Sequence, residues 1–518
     1  MIFNSYVFIF AFLPFVILGF YGLGRFSHHL ASLWLAAASL FFYGWWDARF
    51  VGLLLGSIAF NYSAGYMIGH SLADKARRAK LLLICAIVIN LILLGYFKYA
   101  NFFVENLNAL TGSAITMAKV FLPLGISFFT FTQIAFLVDT YQGKVREYNF
   151  VHYTLFVTYF PHLIAGPVLH HKEMMPQFGK RETCRVNWDN IAIGLTIFIL
   201  GLAKKVLLAD SFGNYATPIF NAVSAGGHPM LFEAWFGALA YSLQLYFDFS
   251  GYSDMAIGLS LMFNVRLPIN FNSPYKSLSI IEFWRCWHMT LSRFLRDYLY
   301  IPLGGSRDGK VKRYVNLLIT MLLGGLWHGA GWTYVIWGGL HGVYLVINHG
   351  WRGVKERMGW RQEGGRLAQF GAGLLTFLAV VVGWVFFRAD NFSVASEMLS
   401  GMVGLNGCSF AKQHGELSAF WQVMQDVGAQ FKGTLTLITL GSNTIIKLLI
   451  VGLFIVFKVP NVQQIMANYS PALNMDAVKK PTRFAWQPSL TDAIFIVIIA
   501  YFVLINLHKQ STFLYFQF

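Results

Sequence analysis

Charge is what this sequence has least of. Only 12% of its 518 residues are Asp, Glu, Lys or Arg, about half the ~25% of a soluble domain, so charge is too sparse to cover a water-facing surface. Cysteine is scarce as well. Cys85 lies in an apolar run, Cys184 and Cys286 in basic segments and Cys408 in a long polar loop. Cysteines so scattered do not share one oxidising compartment, and no intramolecular disulfide is expected. There is no HExxH, no CxxC and no pair of histidines at i, i+4, which speaks against zinc, and no metal is expected. Neither a Walker A loop nor a GxSxG elbow occurs, so any group transfer has to use a base without a serine covalent intermediate. The absence of internal repeats and low-complexity tracts weakens a transporter built from inverted repeats.

Apolar residues are abundant: 56% of the chain is hydrophobic and the mean hydropathy is +0.55. They gather in runs of about 17 to 25 residues, the length that spans a bilayer core. Candidate spans are 6–23, 30–46, 50–70, 81–97, 114–138, 190–208, 231–262, 313–327, 332–348, 369–387, 433–457 and 488–507. The runs are continuous and do not alternate with period two, which excludes an outer-membrane barrel. The fold class is therefore all-α, a polytopic helical membrane protein, with residues 1–518 forming one membrane domain. The first run, from Tyr6 to Leu23, has no basic n-region and no small-residue cleavage site, so it is a first membrane helix and not a removed signal.

A net charge of +16 could suggest nucleic acid, but the basic residues sit in short loops between spans, as the positive-inside rule requires. Lys75, Arg77, Arg78 and Lys80 mark 71–80 as cytoplasmic, and Lys144 and Arg146 mark 142–150. The loops 172–189, 264–313 and 349–366 are basic too, the last with Arg352, Lys355, Arg357, Arg361 and Arg366. The loop 211–230 has no Lys or Arg and belongs outside, with 388–432 and the amino terminus. YTLFVTYFPHLIAGPVLHH, from Tyr153 to His171, lies between two basic loops and contains Pro161, Gly166 and Pro167. Two prolines so close break a helix, so the segment should enter and leave on one side. Such backbone survives at membrane depth only against protein or a water-filled cavity. LPLG, Leu122 to Gly125, makes a similar break.

Ionisable residues at membrane depth mark function because each is costly there. GGLWHGAGW, Gly324 to Trp332, places His328 among Gly324, Gly325, Gly329 and Gly331. Glycines remove side chains and allow a helix or a ligand to approach closely. A neutral imidazole is also the side chain best suited to accept a proton at neutral pH. A histidine merely bonded inside the core explains this position as well. Read as one helix, IEFWRCWHMTLSRFLRDYLYIPLGG aligns Phe283, Trp287, Leu291, Phe294, Leu295 and Tyr298 in a stripe, with Arg285, Arg293 and Arg296 beside it. That is either an interfacial anchor or the mouth of a cavity near His288, with Trp284, Arg285 and Trp287 facing a ligand. In LQLYFDFSGYSDMAIG, Asp248 and Asp254 are either structural ion-pair partners or orient a histidine or substrate. His162 beside Pro161 could line a cavity, while His170 and His171 suit the water boundary.

These segments together resemble the membrane-bound O-acyltransferase (MBOAT) family, in its bacterial polysaccharide branch. The resemblance extends over nearly the whole chain, through FFYGWW at 41–46, LPLGISFFTFTQIAFLVD at 122–139, FPHLIAGPVLHH at 160–171, GLAKKVLLAD at 201–210, QLYFDFSGYSDMAIG at 244–258, NFNSPYKSLSIIEFWRCWHMTLSRFLRDYLYIPLGG at 270–305, NLLITMLLGGLWHGAGW at 316–332, GWVFFRA at 383–389 and the terminal FLYFQF. It implies that His328, beside Trp327 in the WHG motif, is the family's central histidine and that His288 is its second polar position. It implies a ring of tilted helices with re-entrant segments around a central cavity, reached by a cytoplasmic funnel. The acetyl group would come from a cytoplasmic donor, acetyl-CoA, and cross a bacterial inner membrane to a periplasmic acetyltransferase or carrier. Alginate is the first choice of polymer, with cellulose or another envelope polymer as alternatives. Two rivals stand beside the enzyme: a transporter of a lipid-linked glycan with a histidine proton relay, and a scaffold. A through-path needs charged groups along it, and few are present.

Overall fold

Backbone groups in hydrocarbon have no water to bond, so each apolar run must satisfy its own hydrogen bonds by coiling. The computed structural model describes residues 1–72, 75–145, 149–307, 309–359, 365–408, 442–478, 484–508 and 513–514. Its elements are helices, and the lone bridge Pro268 to Leu473 is the β pairing among the described residues. In order they are α1 Phe8–Gly24, α2 His28–Gly44, α3 Arg49–Ser71, α4 Ala76–Thr111, α5 Ile126–Tyr141, α6 Phe150–Thr158, α7 His171–Phe178, α8 Trp188–Ser224 and α9 Leu231–Met262. After these come α10 Ile280–Cys286, α11 Met289–Leu295, α12 Gly309–His328, α13 Trp332–Arg357, α14 Arg366–Arg388, α15 Phe392–Met402, α16 Ser442–Lys458 and α17 Leu490–Asn506. Helices α3, α4, α8 and α14 are long and apolar enough to cross a membrane by length and composition. Leu18, Ile92, Leu375 and Phe454 stand exposed on the helix surfaces, where lipid covers them. The chain is an all-helical polytopic membrane protein.

Three expected boundaries change. The span 114–138 is helical only from Ile126, because Gly125 adopts φ +72 and Pro123 precedes it. Residues 211–224 belong to α8, so the outside loop shrinks to 225–230. Of the expected span 433–457, the part before Ser442 lies outside the described residues, as do Arg146, Arg361 and most of the loop 388–432.

The segment after α6 behaves as its prolines require. From Tyr159 to His171 every residue is buried, and both ends of the excursion meet at Asp139. His171 Nδ1 lies 3.2 Å and Lys144 Nζ 3.7 Å from that carboxylate. His170 also faces Asp139, and Tyr298 Oη lies 3.0 Å from its Nδ1. His170 and His171 are thus buried partners of a carboxylate and not residues of the water boundary. The close packing of α8 on α9 rests on glycine: a Cβ on Gly194 would lie 2.5 Å from the Gly258 carbonyl oxygen.

Sidedness follows from the basic loops and is testable. In a variant lacking the native cysteines, Lys180→Cys and Ala225→Cys are both exposed positions. Impermeant maleimide is expected to label 180 only from the cytoplasmic face and 225 only from the other. Labelling of both from one face would contradict the re-entrant assignment of 153–171.

Candidate active site

His328 is the last residue of α12, and a glycine-rich turn of three residues leads into α13. The glycines around it pack helices. A Cβ on Gly325 would lie 2.2 Å from the Tyr334 carbonyl oxygen, and one on Gly338 2.3 Å from that of Met321. On Gly329 it would lie 2.2 Å from the Tyr334 ring. Close contact of α12 with α13, and not room for a substrate, is what these glycines provide.

Two apolar clusters meet at His328, one holding Trp327 and the other Trp337 and Phe387. Its ring centroid is 4.9 Å from that of Trp327, 5.1 Å from Trp337 and 5.4 Å from Phe387. His328 nevertheless lines a cavity of about 100 Å³, together with Trp46, Lys98, Leu122 to Phe128, Ile164 and Trp327. At ~30 Å³ per water that is space for about three waters, or for an acetyl group and the oxygen attacking it. Trp46 follows α2, whose other end adjoins Arg25 and the basic segment 181–185. The cavity therefore lies nearer the ends of these helices that point away from the basic segment 181–185.

The run 281–305 is not one helix. Trp287 is extended and His288 takes φ 42, ψ 52, which splits the stripe into α10 and α11. The residue sits there because Asn270 anchors it. Asn270 Oδ1 lies 3.3 Å from Thr290 N, 2.9 Å from Thr290 Oγ1 and 3.1 Å from His288 Nδ1. A backbone N–H can only donate, so the Asn270 atom facing it is the oxygen and His288 Nδ1 must carry hydrogen. Nε2 of the neutral ring then holds the lone pair. His288 is fully buried, not at a wet interface, and its ring centroid lies 6.3 Å from that of His328. The break in the helix is what brings the two imidazoles together.

The other expected residues lie elsewhere. Trp284 Nε1 donates to His341 Nδ1 at 3.3 Å, and Trp287 packs on Trp384 at 4.8 Å between centroids. Both belong to the aromatic core behind His328. Arg285 is exposed on α10, away from the cavity lining. His162 Nε2 donates to the Phe156 carbonyl at 3.1 Å and braces the re-entrant turn instead of lining the cavity. Asp248 pairs with Lys205 at 2.7 Å and accepts from Leu514 N at 3.0 Å, while Asp254 pairs with Lys204 at 2.6 Å. These carboxylates join α8 to α9 and do not orient a histidine. Asp248→Ala removes one of the two carboxylates beside Lys205, the other being Asp210 at 2.8 Å, and is expected to cost about 3 kcal/mol. Thermal unfolding in detergent should show it, with activity per folded molecule unchanged.

Sequence reasoning passed over Lys98, Asn270 and His341. Lys98 is a lone lysine in an apolar run, and that solitude was the available signal. Nothing local marks Asn270, whose role depends on the fold.

A profile of the membrane-bound O-acyltransferase family matches residues 77–387. A peptidoglycan O-acetyltransferase of Helicobacter pylori is 45% identical over 453 residues, 82% of this chain and 84% of that protein. A probable alginate O-acetylase of Pseudomonas aeruginosa is 46% identical over 407 residues, 78% of this chain and 75% of that protein. A teichoic acid D-alanyltransferase of Streptococcus thermophilus is 28% identical over 236 residues, 44% of this chain and 57% of that protein.

Proposed function

Because the chain belongs to the membrane-bound O-acyltransferase family, we propose that this acyltransferase moves acetyl from a cytoplasmic thioester, acetyl-CoA, to a polysaccharide hydroxyl beyond the membrane. Alginate is the proposed polymer, and the membrane the bacterial inner membrane. A periplasmic acetyltransferase or acetyl carrier completes the delivery. The observation that carries this is the pair of buried imidazoles, 6.3 Å apart, with one of them lining a cavity.

His328 accepts the proton as an acceptor hydroxyl attacks the thioester carbon. The new C–O bond forms, the carbonyl pair moves to oxygen, and collapse expels the thiolate. The thiolate then takes the proton from His328. General base catalysis of this kind contributes about 10²- to 10⁴-fold. His288, its tautomer held by Asn270, positions the donor or acceptor. Exposed Arg285 and its basic neighbours suit the phosphates of the donor at the cytoplasmic end.

A second polymer has its own support, since the Helicobacter relative is named for peptidoglycan and matches 84% of its own length. Deletion of the gene, followed by measurement of base-released acetate from each polymer, separates the two. Loss from alginate alone is expected. Loss from peptidoglycan alone would favour the second polymer, and retention in both would contradict acetylation of either.

A further inference from the structure

Lys98 lies in a widened, π-type turn of α4, Gly95–Tyr99. That turn grips the last residues of α12. Tyr99 Oη donates to the Leu326 carbonyl at 2.9 Å. Lys98 Nζ donates to the carbonyls of Trp327 and His328, the latter at 3.2 Å, and to Ser127 Oγ at 3.3 Å. Two of these contacts, at 3.2 and 3.3 Å, are long, so an N–H of the ammonium can turn to an anion in the cavity. All three acceptors are neutral oxygens, and among the described residues no carboxylate pairs with Lys98, whereas Lys204 and Lys205 each meet one. Lys98 also lines the His328 cavity, with Nζ 5.8 Å from the centre of the Trp327 ring.

A helix carboxyl end attracts a cation, which accounts for part of this placement. It does not account for the exposure of the charge to the cavity. In low dielectric a cation without a counterion strongly favours an anion beside it. We propose that Lys98 supplies the positive charge of the transfer centre, stabilising the oxyanion formed when the acceptor hydroxyl adds to the acyl carbon beside His328. This rests on the acetyltransferase function proposed above. The step adds no reactant: the acceptor O–C bond forms, its proton passes to His328, and the carbonyl pair becomes the oxyanion facing Lys98. Collapse restores the carbonyl, breaks the C–S bond and returns the proton to the leaving thiolate. The amino end of α5, whose Ile126 and Ser127 line the same cavity beside the preceding Gly125, adds partial charge of the same sign.

The test uses the full chain in lipid nanodiscs, with acetyl-CoA and an alginate oligomer. Lys98→Gln keeps hydrogen-bond donors without charge and is expected to lower kcat about 100-fold, the loss typical of one oxyanion-stabilising group. Its KM for acceptor should stay within about threefold, since the charge acts mainly after the ground state. Lys98→Arg is expected to retain at least about a tenth of wild-type kcat, because the charge remains. Tyr99→Phe removes a bond to the same helix end but no charge, and should stay within about threefold of wild type. Should Lys98→Gln fail to accumulate, Lys98→Cys in a background otherwise free of cysteine replaces it. Alkylation with bromoethylamine restores an ammonium and should restore the rate, while neutral iodoacetamide should not. Full activity in Lys98→Gln would overturn the proposal, as would equal losses in Lys98→Gln, Lys98→Arg and Tyr99→Phe. Equal recovery with both alkylating agents would overturn it too. A wild-type chain that stays inactive when a periplasmic extract is also supplied would instead defeat the acetyltransferase function itself.

Discussion

His328→Ala is expected to abolish acetyl transfer, with a loss of about 10³-fold or more, while the protein still accumulates in the membrane. The magnitude is within the 10²- to 10⁴-fold typical of a general base. Survival of the fold follows from what surrounds the ring. His328 is held among the rings of Trp327, Trp337 and Phe387, and α12 is fixed to α13 through Gly325 and Gly338. Truncation enlarges an existing cavity and leaves that helix contact untouched. Polymer acetylation and quantified membrane levels check both halves. A variant missing from the membrane would mean that His328 is a core residue. A variant present and fully active would remove it from the chemistry.

The second large effect separates the two histidines. His288→Asn is expected to keep at least about a tenth of wild-type activity, whereas His328→Asn and His328→Gln should fall below about a hundredth. An amide can donate to Asn270 Oδ1 as His288 Nδ1 does, but it cannot take a proton at neutral pH. Asn is also among the non-glycine residues that best tolerate a φ of 42, so His288→Asn preserves the break between α10 and α11. His288→Gln keeps the donor but suits that backbone less well, and should accumulate to a lower level. Acetate yield per unit of membrane protein decides the matter. Equal losses at both positions would refute the division of roles, and greater tolerance at 328 would reverse it.

How far the sequence could reach depended on the kind of information needed. Long apolar runs and basic loops foretold the helices because hydrocarbon leaves the backbone no alternative. Pro161, Gly166 and Pro167 likewise foretold the buried turn after α6, since proline cannot continue a helix. The region 281–305 misled because its apolar spacing fits a continuous helix, while the break depends on Asn270, 18 residues away in sequence from His288. That tertiary contact overrides the local pattern. The same limit explains the glycines of GGLWHGAGW: composition marked a close approach, but only the fold shows that the approaching group is α13. For Asp248, the lysine partner stood in the sequence as Lys205, yet nothing local set it facing α9.

The most direct measurement follows labelled acetyl from acetyl-CoA into base-labile ester in proteoliposomes containing purified wild-type chain or His328→Ala at equal density. Donor is supplied on the side bearing 71–80 and 172–189, and a hydroxyl acceptor on the side of Trp46. Wild type is expected to transfer label across the bilayer, and His328→Ala to leave it on the donor. Transfer by His328→Ala at the wild-type rate, in vesicles shown to be sealed, would contradict the account.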